Sequence, residues 1–370
     1  VPYGVWASSA YVQLSSVSVS TSGNLGIYTA GVRISSWSAI SYSTVTVWNA
    51  HGIWLDGSTK TAVSYSSAVT KNAGFYALYL NGAAGNTVTG AYLSNPAGHG
   101  AFLDAGADYN TIVRSTMLAG ATTANRYALY LSGVSSNTIL DSYIQGSTAV
   151  YISGSTGTVF GGTVFVATNT AGIALALTGG SVNLTLSTST LSVKDGPGAN
   201  SAGLYLDAYN RGVITLSTNV IAGGQYGAYI ATQAAGTQIY ITSNTILGSI
   251  GSGADRYGLY LDGLTTGATI QNNAVVYRTP GTMGSNTAYA LYAKSSTGLV
   301  IDHNRFSNPG MVTGGSAIGA AFSGTTKTSF KFNDVNSTGT GLTNAYLFQL
   351  AGSTVALRNN IFLSSWTVSG

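Results

Sequence analysis

A pattern that returns every 21 to 32 residues or so, a composition of strand and turn formers, and a near absence of charge predict an all-β solenoid. The expected fold is a parallel β-helix of about fourteen coils, a single elongated domain over residues 1–370, on the order of 65 Å long at one strand spacing per coil. The 370 residues include 49 Gly and 24 Tyr, and only 6% are charged. Glu is absent, so all ten acids are Asp. Helix formers such as Lys, Gln and Met are scarce, whereas Val, Ile, Thr and Tyr abound, which favours strands joined by Gly- and Asn-rich turns. The 45% apolar content and regular patterning separate the chain from a disordered one.

The first strand of the repeat is the most conspicuous. YGLYLDG (257–263) returns as YGVWASS, LGIYTAG, HGIWLDG, ALYLNG, GAFLDAG, ALYLSG, AVYISG, AGLYLDA and YGAYIAT. Its apolar end falls at Leu55, Leu80, Leu103, Leu131, Ile152, Leu177, Leu206, Ile230 and Leu261, with weaker copies at Ala293, Phe322 and Leu350. Earlier copies are placed near Trp6 and Tyr28. A turn of Gly, Asn and Ser follows, since these residues tolerate positive φ or bond their own backbone. A second strand comes about eight residues on, as in NTVTGAYL (86–93), NTIVRSTM (110–117) and NTILDSYI (137–144). Variation in length is confined to the loop after it. No helical segment separates the strands, which excludes βαβ units, and the L-x-x-L-x-L-x-x-N pattern of leucine-rich repeats is missing.

The G-hydrophobic-Tyr-Leu strand, the Asx-Gly or Ser-Gly turn and the following N-T-I or x-N-x-I strand resemble the right-handed parallel β-helix repeat. That repeat occurs in pectin-lyase-like, NosD-like and surface-repeat proteins. The resemblance covers essentially the whole chain and implies the fold. It leaves function open, because lyases, hydrolases, adhesins, tail spikes and structural proteins share that fold.

Two sets of residues stand out. Asn219, Asn244, Asn273, Asn304, Asn333 and Asn360 recur two positions before the apolar residue near the end of the second strand in six successive coils. They predict an asparagine ladder of stacked amides; earlier coils carry Ala91, Ser115 and Ser142 there. The aromatic of the first strand should point outward, because neighbouring strand side chains face opposite ways. Trp6, Tyr28, Trp54, Tyr79, Phe102, Tyr130, Tyr151, Tyr205, Tyr229, Tyr260 and Tyr292 then form an outer stripe, interrupted at Ala176. From Trp54 onward these rings are the candidate interface or glycan-contact residues, since Tyr and Trp combine an apolar ring with a polar tip.

No catalytic, cofactor-binding or metal site is expected. Asp56, Asp104, Asp207 and Asp262 share a turn position in non-adjacent coils. Arg114 with Asp141 and Asp302 with Lys331 fall at matching positions and predict cross-coil ion pairs. The best enzymatic groupings are Asp104, Asp108, Arg114 and Asp141 near His99, and Asp302, His303 and Arg305. The three His lack metal-ligand spacing. Net charge is +4 without a basic cluster, which argues against nucleic acid, and no apolar run reaches membrane-spanning length. Cysteine is absent. The chain begins and ends on repeat strands, so segments or copies beyond it are expected to cover its ends. The expectation is an extracellular or cell-surface structural protein, a block of a fibre, sheath or adhesin. It would self-associate or meet neighbouring β-helical domains. The alternatives are a polysaccharide lyase or hydrolase, or a non-catalytic module binding surface polysaccharide.

Overall fold

The computed structural model describes residues 3–24, 29–121, 125–193, 198, 200–249, 253–277, 281–313 and 315–368. They contain no helix, and none of them forms a helix long and apolar enough to cross a membrane. The chain divides into two compact units, Val1–Asn169 and Thr170–Gly370.

Each unit is built of coils that run through three parallel sheets. Among the described residues of the N-terminal unit, seven first strands succeed one another, from Tyr3–Ala7 to Thr148–Ser153. In the C-terminal unit seven run from Ile173–Thr178 to Asn344–Ala351. Register is kept from coil to coil: Leu55 pairs with Leu80, Leu80 with Leu103 and Leu103 with Leu131. Within the second unit an apolar column of the same kind runs through Leu206, Ile230, Leu261, Ala293, Phe322 and Leu350.

Sequence reading expected two strands per coil; there are three. The stretch 86–93 splits into Thr87–Thr89 and the start of Tyr92–Asn95. Gly90 at φ 61° and Ala91 turn the chain between them. In neighbouring coils the corner residue is Tyr65, Arg114 or Asp141, each also at positive φ. A left-handed residue ends the strand and swings the next one onto a different sheet, which hydropathy alone does not reveal.

The interior is filled by one apolar side chain per short strand. Val63, Val88, Ile112 and Ile139 stack through the second sheet, and Leu93, Met117, Ile144 and Phe165 through the third; all are fully buried. At about 25 cal/mol per Å² of apolar surface removed from water, these stacks supply the main stabilising contribution.

The corner between second and third strands carries buried amides in the C-terminal unit. Asn219 Nδ2 donates to Asn244 Oδ1 at 2.9 Å, Asn244 to Asn273 at 3.0 Å, Asn273 to Asn304 at 2.9 Å and Asn304 to Asn333 at 3.0 Å. Asn333 continues to Asn360 at 3.2 Å. Each Oδ1 also accepts the backbone N–H of the preceding rung, for example Asn244 N to Asn273 Oδ1 at 2.9 Å. A second ladder, missed in the sequence, occupies the corner between first and second strands of the N-terminal unit. Asn86 donates to Asn110 at 3.0 Å, and Asn110 to Asn137 at 3.2 Å. Its signal was the leading Asn of NTV, NTI and NTI.

Candidate functional site

The outer face of the first sheet carries the aromatic residues, and the local backbone explains how. In Tyr76–Asn81 the residues Ala77 and Leu78 are both buried, although strict alternation would turn one of them out. The strand bends there, so Tyr76 and Tyr79 emerge on the same side. In the strands that carry these rings the first inward residue is small: Gly52, Ala77, Gly100 and Ala128 in one unit, and Gly203, Gly227, Gly258 and Ala290 in the other. Space dictates this. A Cβ on Gly52 would lie 2.4 Å from the Ala77 carbonyl oxygen of the next coil.

The result is two columns of rings instead of the single stripe expected. One holds Trp54, Tyr79, Phe102, Tyr130 and Tyr151 in the N-terminal unit, and Tyr205, Tyr229, Tyr260 and Tyr292 in the C-terminal unit. The other, three residues earlier, holds His51, Tyr76, His99 and Tyr127, and separately Tyr226, Tyr257 and Tyr289. The signal for the second column was the spacing Y-x-x-Y, H-x-x-W and H-x-x-F inside the very motif that defines the repeat. Tyr28 lies outside the described residues, and its assigned place in the stripe is taken by Arg33, which pairs with Trp6 on one side and Trp54 on the other. The alignment slipped there because Arg33 interrupts the aromatic pattern. Its guanidinium lies 4.7 Å from the Trp54 ring centre and pairs with Asp56.

The rings stack on one another along each column. Tyr79 and Phe102 are 5.5 Å apart and 7° from parallel; Tyr257 and Tyr289 are 5.2 Å and 6°. Across the columns Tyr76 meets Tyr79 at 5.3 Å and Tyr257 meets Tyr260 at 4.7 Å. Each such pair contributes about 0.5–1.5 kcal/mol beyond burial. Mutual cover leaves most rings half-buried, with Trp54 only 6% exposed against 60% for Trp6 at the first coil. Stacking consumes ring faces and turns ring edges outward.

Polar groups border this face. Tyr79 OH donates to Asp104 at 3.1 Å and Tyr229 OH to Asp262 at 3.3 Å. Asn81 lies between Asp56 and Asp104 in the coil order and donates to Asp56 at 2.9 Å. Burial, aided by the neighbouring carboxylates, holds the Tyr79, Tyr229, Tyr257 and Tyr260 phenols well above their ordinary range. Burial also pushes Tyr127 up to about 12 and lowers His51 and His99 to about 4, the latter aided by Arg126. Both imidazoles accept a backbone N–H at Nδ1: Tyr76 to His51 at 3.2 Å and Tyr127 to His99 at 3.1 Å. An acceptor nitrogen must be unprotonated, so hydrogen bonding and burial act in the same direction. In the C-terminal unit a cleft of about 480 Å³ opens beside the rings, lined by Ile173, Asn200, Tyr205, Tyr226, Tyr229, Tyr260 and Asp262.

The expected enzymatic groupings do not converge. Asp104 sits at the end of the first strand and Asp108 in the next corner, where it accepts Ser135 N at 2.6 Å. Arg114 and Asp141 are exposed at the following corner. They occupy adjacent coils as expected, but among the described residues the ion pairs are Arg33–Asp56 and His303–Asp302. Positive φ at both Arg114 and Asp141 turns their side chains into solvent, where an ion pair has little to offset its entropic cost. Asp302 and Lys331 are likewise in register without pairing; His303 Nδ1 lies 2.9 Å from Asp302 Oδ1 instead. His303 stacks on Phe332 at 5.0 Å and borders a shallow pocket with Arg305. No three His or Asp among the described residues converge to hold a metal ion.

With three parallel sheets per coil and stacked amides at the corners, the chain has the architecture of a β-helix protein. The family model described as right handed beta helix region matches residues 25–191 and 233–364, and the chain belongs to that family. Comparison with curated proteins finds no match. Among solved structures the chain is similar to the Dettilon tailspike protein, at 12% identity and a TM-score of 0.47 over 88% of this chain and 61% of that one. It therefore spans less than two thirds of that protein's length. It is also similar to the periplasmic alginate epimerase AlgG, at 12% identity and 0.43 over 86% and 77% of the two chains. PfbA, a surface adhesin of Streptococcus pneumoniae, matches at 11% and 0.40 over 89% and 83%.

Proposed function

We propose that this chain is an exported, non-catalytic structural unit of a cell-surface assembly, and that the aromatic face of the first sheet is its contact surface against a second β-helical surface. The observation that supports this most is the double column of rings. A single outward ring per coil would serve strand propensity alone. Two columns, held by the small residue at the bend of each ring-bearing strand, make an apolar strip with phenol edges, the kind of surface that proteins bury against partners. Low charge limits repulsion between copies. The acids on the border, Asp56 and Asp104 in one unit and Asp207 and Asp262 in the other, disfavour an anionic polymer as the occupant. As a pair for general acid–base chemistry, Asp56 and Asp104 are separated by two coils, about 10 Å, with Asn81 between them.

Sedimentation velocity over a concentration series tests this reading. The unaltered chain should associate, and Tyr79→Ser with Tyr130→Ser should remain monomeric while keeping its far-ultraviolet circular dichroism. A chain that stays monomeric at every concentration, or variants that associate equally well, would overturn it.

A further inference from the structure

Asparagine followed directly by glycine occurs once in the 370 residues, at Asn81–Gly82. The pair has a chemistry of its own. The backbone nitrogen that follows an asparagine can attack its side-chain amide, and glycine, with no Cβ, leaves that approach uncrowded. Asn81 ends the first strand Tyr76–Asn81 and is half-buried; Gly82 opens the turn, is exposed and holds φ 57°. A Cβ at Gly82 would meet nothing within 4 Å, so the turn stands clear of its surroundings.

This turn lacks a bond that its counterparts make. Gly57 N donates to Asn81 O at 2.7 Å, Gly133 N to Ser153 O at 2.9 Å and Gly263 N to Lys294 O at 2.8 Å, so the next coil holds each of these N–H groups. The matching acceptor for Gly82 is the Asp104 carbonyl, because Leu80 pairs with Leu103. That carbonyl accepts Ala107 N at 2.8 Å instead. The cause is length: Leu103 to Asn110 is one residue longer than Leu80 to Asn86 or Leu131 to Asn137. Among the described residues Gly82 N therefore has no acceptor. The Asn81 side chain is held by its donation to Asp56 Oδ1 at 2.9 Å, while Asp56 also pairs with Arg33.

We propose that Asn81–Gly82 is a self-modification site, at which the folded chain turns a neutral rung into a charged one. Gly82 N, losing its proton, bonds to Asn81 Cγ. The Cγ–Nδ2 bond breaks, and the amide nitrogen leaves as ammonia carrying that proton. Water then opens the five-membered imide at either carbonyl. One opening leaves aspartate at position 81; the other leaves isoaspartate, with the main chain running through Cγ. Water is the sole co-reactant. Both products lose the donation to Asp56 and place a carboxylate one strand spacing, about 4.8 Å, from Asp56 on one side and Asp104 on the other. Like charges opposite one another on paired strands are destabilising, so the aged border of the first sheet is weaker than the new one. The chemistry is intrinsic to this turn and holds whatever the first-sheet face contacts.

Ageing the folded chain at neutral to alkaline pH, with peptide mass mapping and isoaspartate methyltransferase labelling, tests the proposal. Asn81 should convert, faster as pH rises, because the attacking nitrogen must first lose its proton. Giving up a hydrogen bond to a charged group should hold the rate about ten to a hundred times below that of an unstructured peptide of the same sequence. Asp56→Ala should recover part of that factor, and Gly82→Ala should slow conversion, because its Cβ crowds the closing ring. Asp56 and Asp262 also precede glycines, but Gly57 N and Gly263 N are held, so neither should isomerise alongside Asn81. Ion exchange should resolve an acidic species with a lowered thermal midpoint, and Asn81→Ser, the residue found at positions 132 and 153 of the same column, should never form it. Three results would overturn the proposal: an Asn81 still intact beyond the hundredfold margin, an acidic species that arises equally in Asn81→Ser, or isomerisation at Asp56 or Asp262 as fast as conversion at Asn81.

Discussion

The two units solve one problem with different residues at opposite corners. At every tight corner a buried backbone N–H faces the next coil and needs an acceptor. In the N-terminal unit the first corner uses Asn86, Asn110 and Asn137. Its second corner uses hydroxyls: Ser43 N donates to Ser66, Ala91 N to Ser115, Ser115 N to Ser142 and Ser142 N to Thr163, at 3.1–3.5 Å. The C-terminal unit has its longer asparagine run, from Asn219 to Asn360, at the second corner. Its first corner keeps Asn210, which accepts Ser181 N at 3.1 Å, and otherwise takes hydroxyl acceptors such as Ser296 for Leu264 N and Ser353 for Thr325 N. Geometry therefore fixes the need for an acceptor, and either side chain satisfies it. Asparagine does more, because its amide also donates to the next rung and to a carbonyl.

The comparison predicts unequal costs when a rung is removed. Asn273→Ala strips Asn244 of an acceptor for both its backbone and side-chain N–H and leaves the Ile241 and Gln271 carbonyls without their amide donor. With buried unsatisfied groups at about 1–3 kcal/mol each, the loss should reach about 4 kcal/mol. Ser115→Ala removes one acceptor and one donor and should cost about 1–2 kcal/mol. Equilibrium denaturation of the two variants measures the difference; equal losses would show that the corners do not rank by bonds made.

A second contrast concerns pH. The aromatic face of the N-terminal unit includes His51 and His99, whereas the column of Tyr226, Tyr257 and Tyr289 in the other unit is all tyrosine. The histidine pKa is depressed on folding, so its neutral form favours the folded state. That contribution is complete above the unfolded pKa near 6.5 and is lost as pH falls toward about 4. For buried His51 it amounts to up to about 3 kcal/mol. Hydrogen exchange should therefore accelerate in His51–Asp56 and Tyr76–Asn81 relative to Tyr226–Ile230 on going from pH 7 to 4, after correction for intrinsic rates. His51→Gln should remove much of that difference. Uniform acceleration in both units would contradict the assignment.

A further expectation concerns the bend. Gly52→Ala places its Cβ against a fixed carbonyl and should cost about 1–3 kcal/mol, read as a lowered thermal midpoint. An unchanged midpoint would mean that the close approach of coils does not require glycine there.

Much of this was legible in the sequence because each coil repeats its core residue at the same slot: Leu55, Leu80 and Leu103 declare the register by themselves. The C-terminal asparagines were visible for the same reason. The third strand was hidden, because Tyr65, Arg114 and Asp141 hold left-handed φ without being Gly or Asn. The second aromatic column was hidden by the assumption of strict alternation, which the bend at Ala77 and Leu78 breaks. The slot that Arg33 holds was assigned to Tyr28, because a cation there breaks the run of rings. The predicted ion pairs failed because matching register does not by itself aim two side chains at each other.

The central claim is that the first-sheet face meets another β-helical surface. Hydroxyl-radical footprinting across a concentration series, with residue-level readout, tests it most directly. Protection of Tyr76, Tyr79, Tyr127 and Tyr130 should rise as the chain associates, while Tyr11, Tyr42 and Tyr65 stay reactive. Protection that rises at Tyr11, Tyr42 and Tyr65 instead, or at neither set, would contradict it.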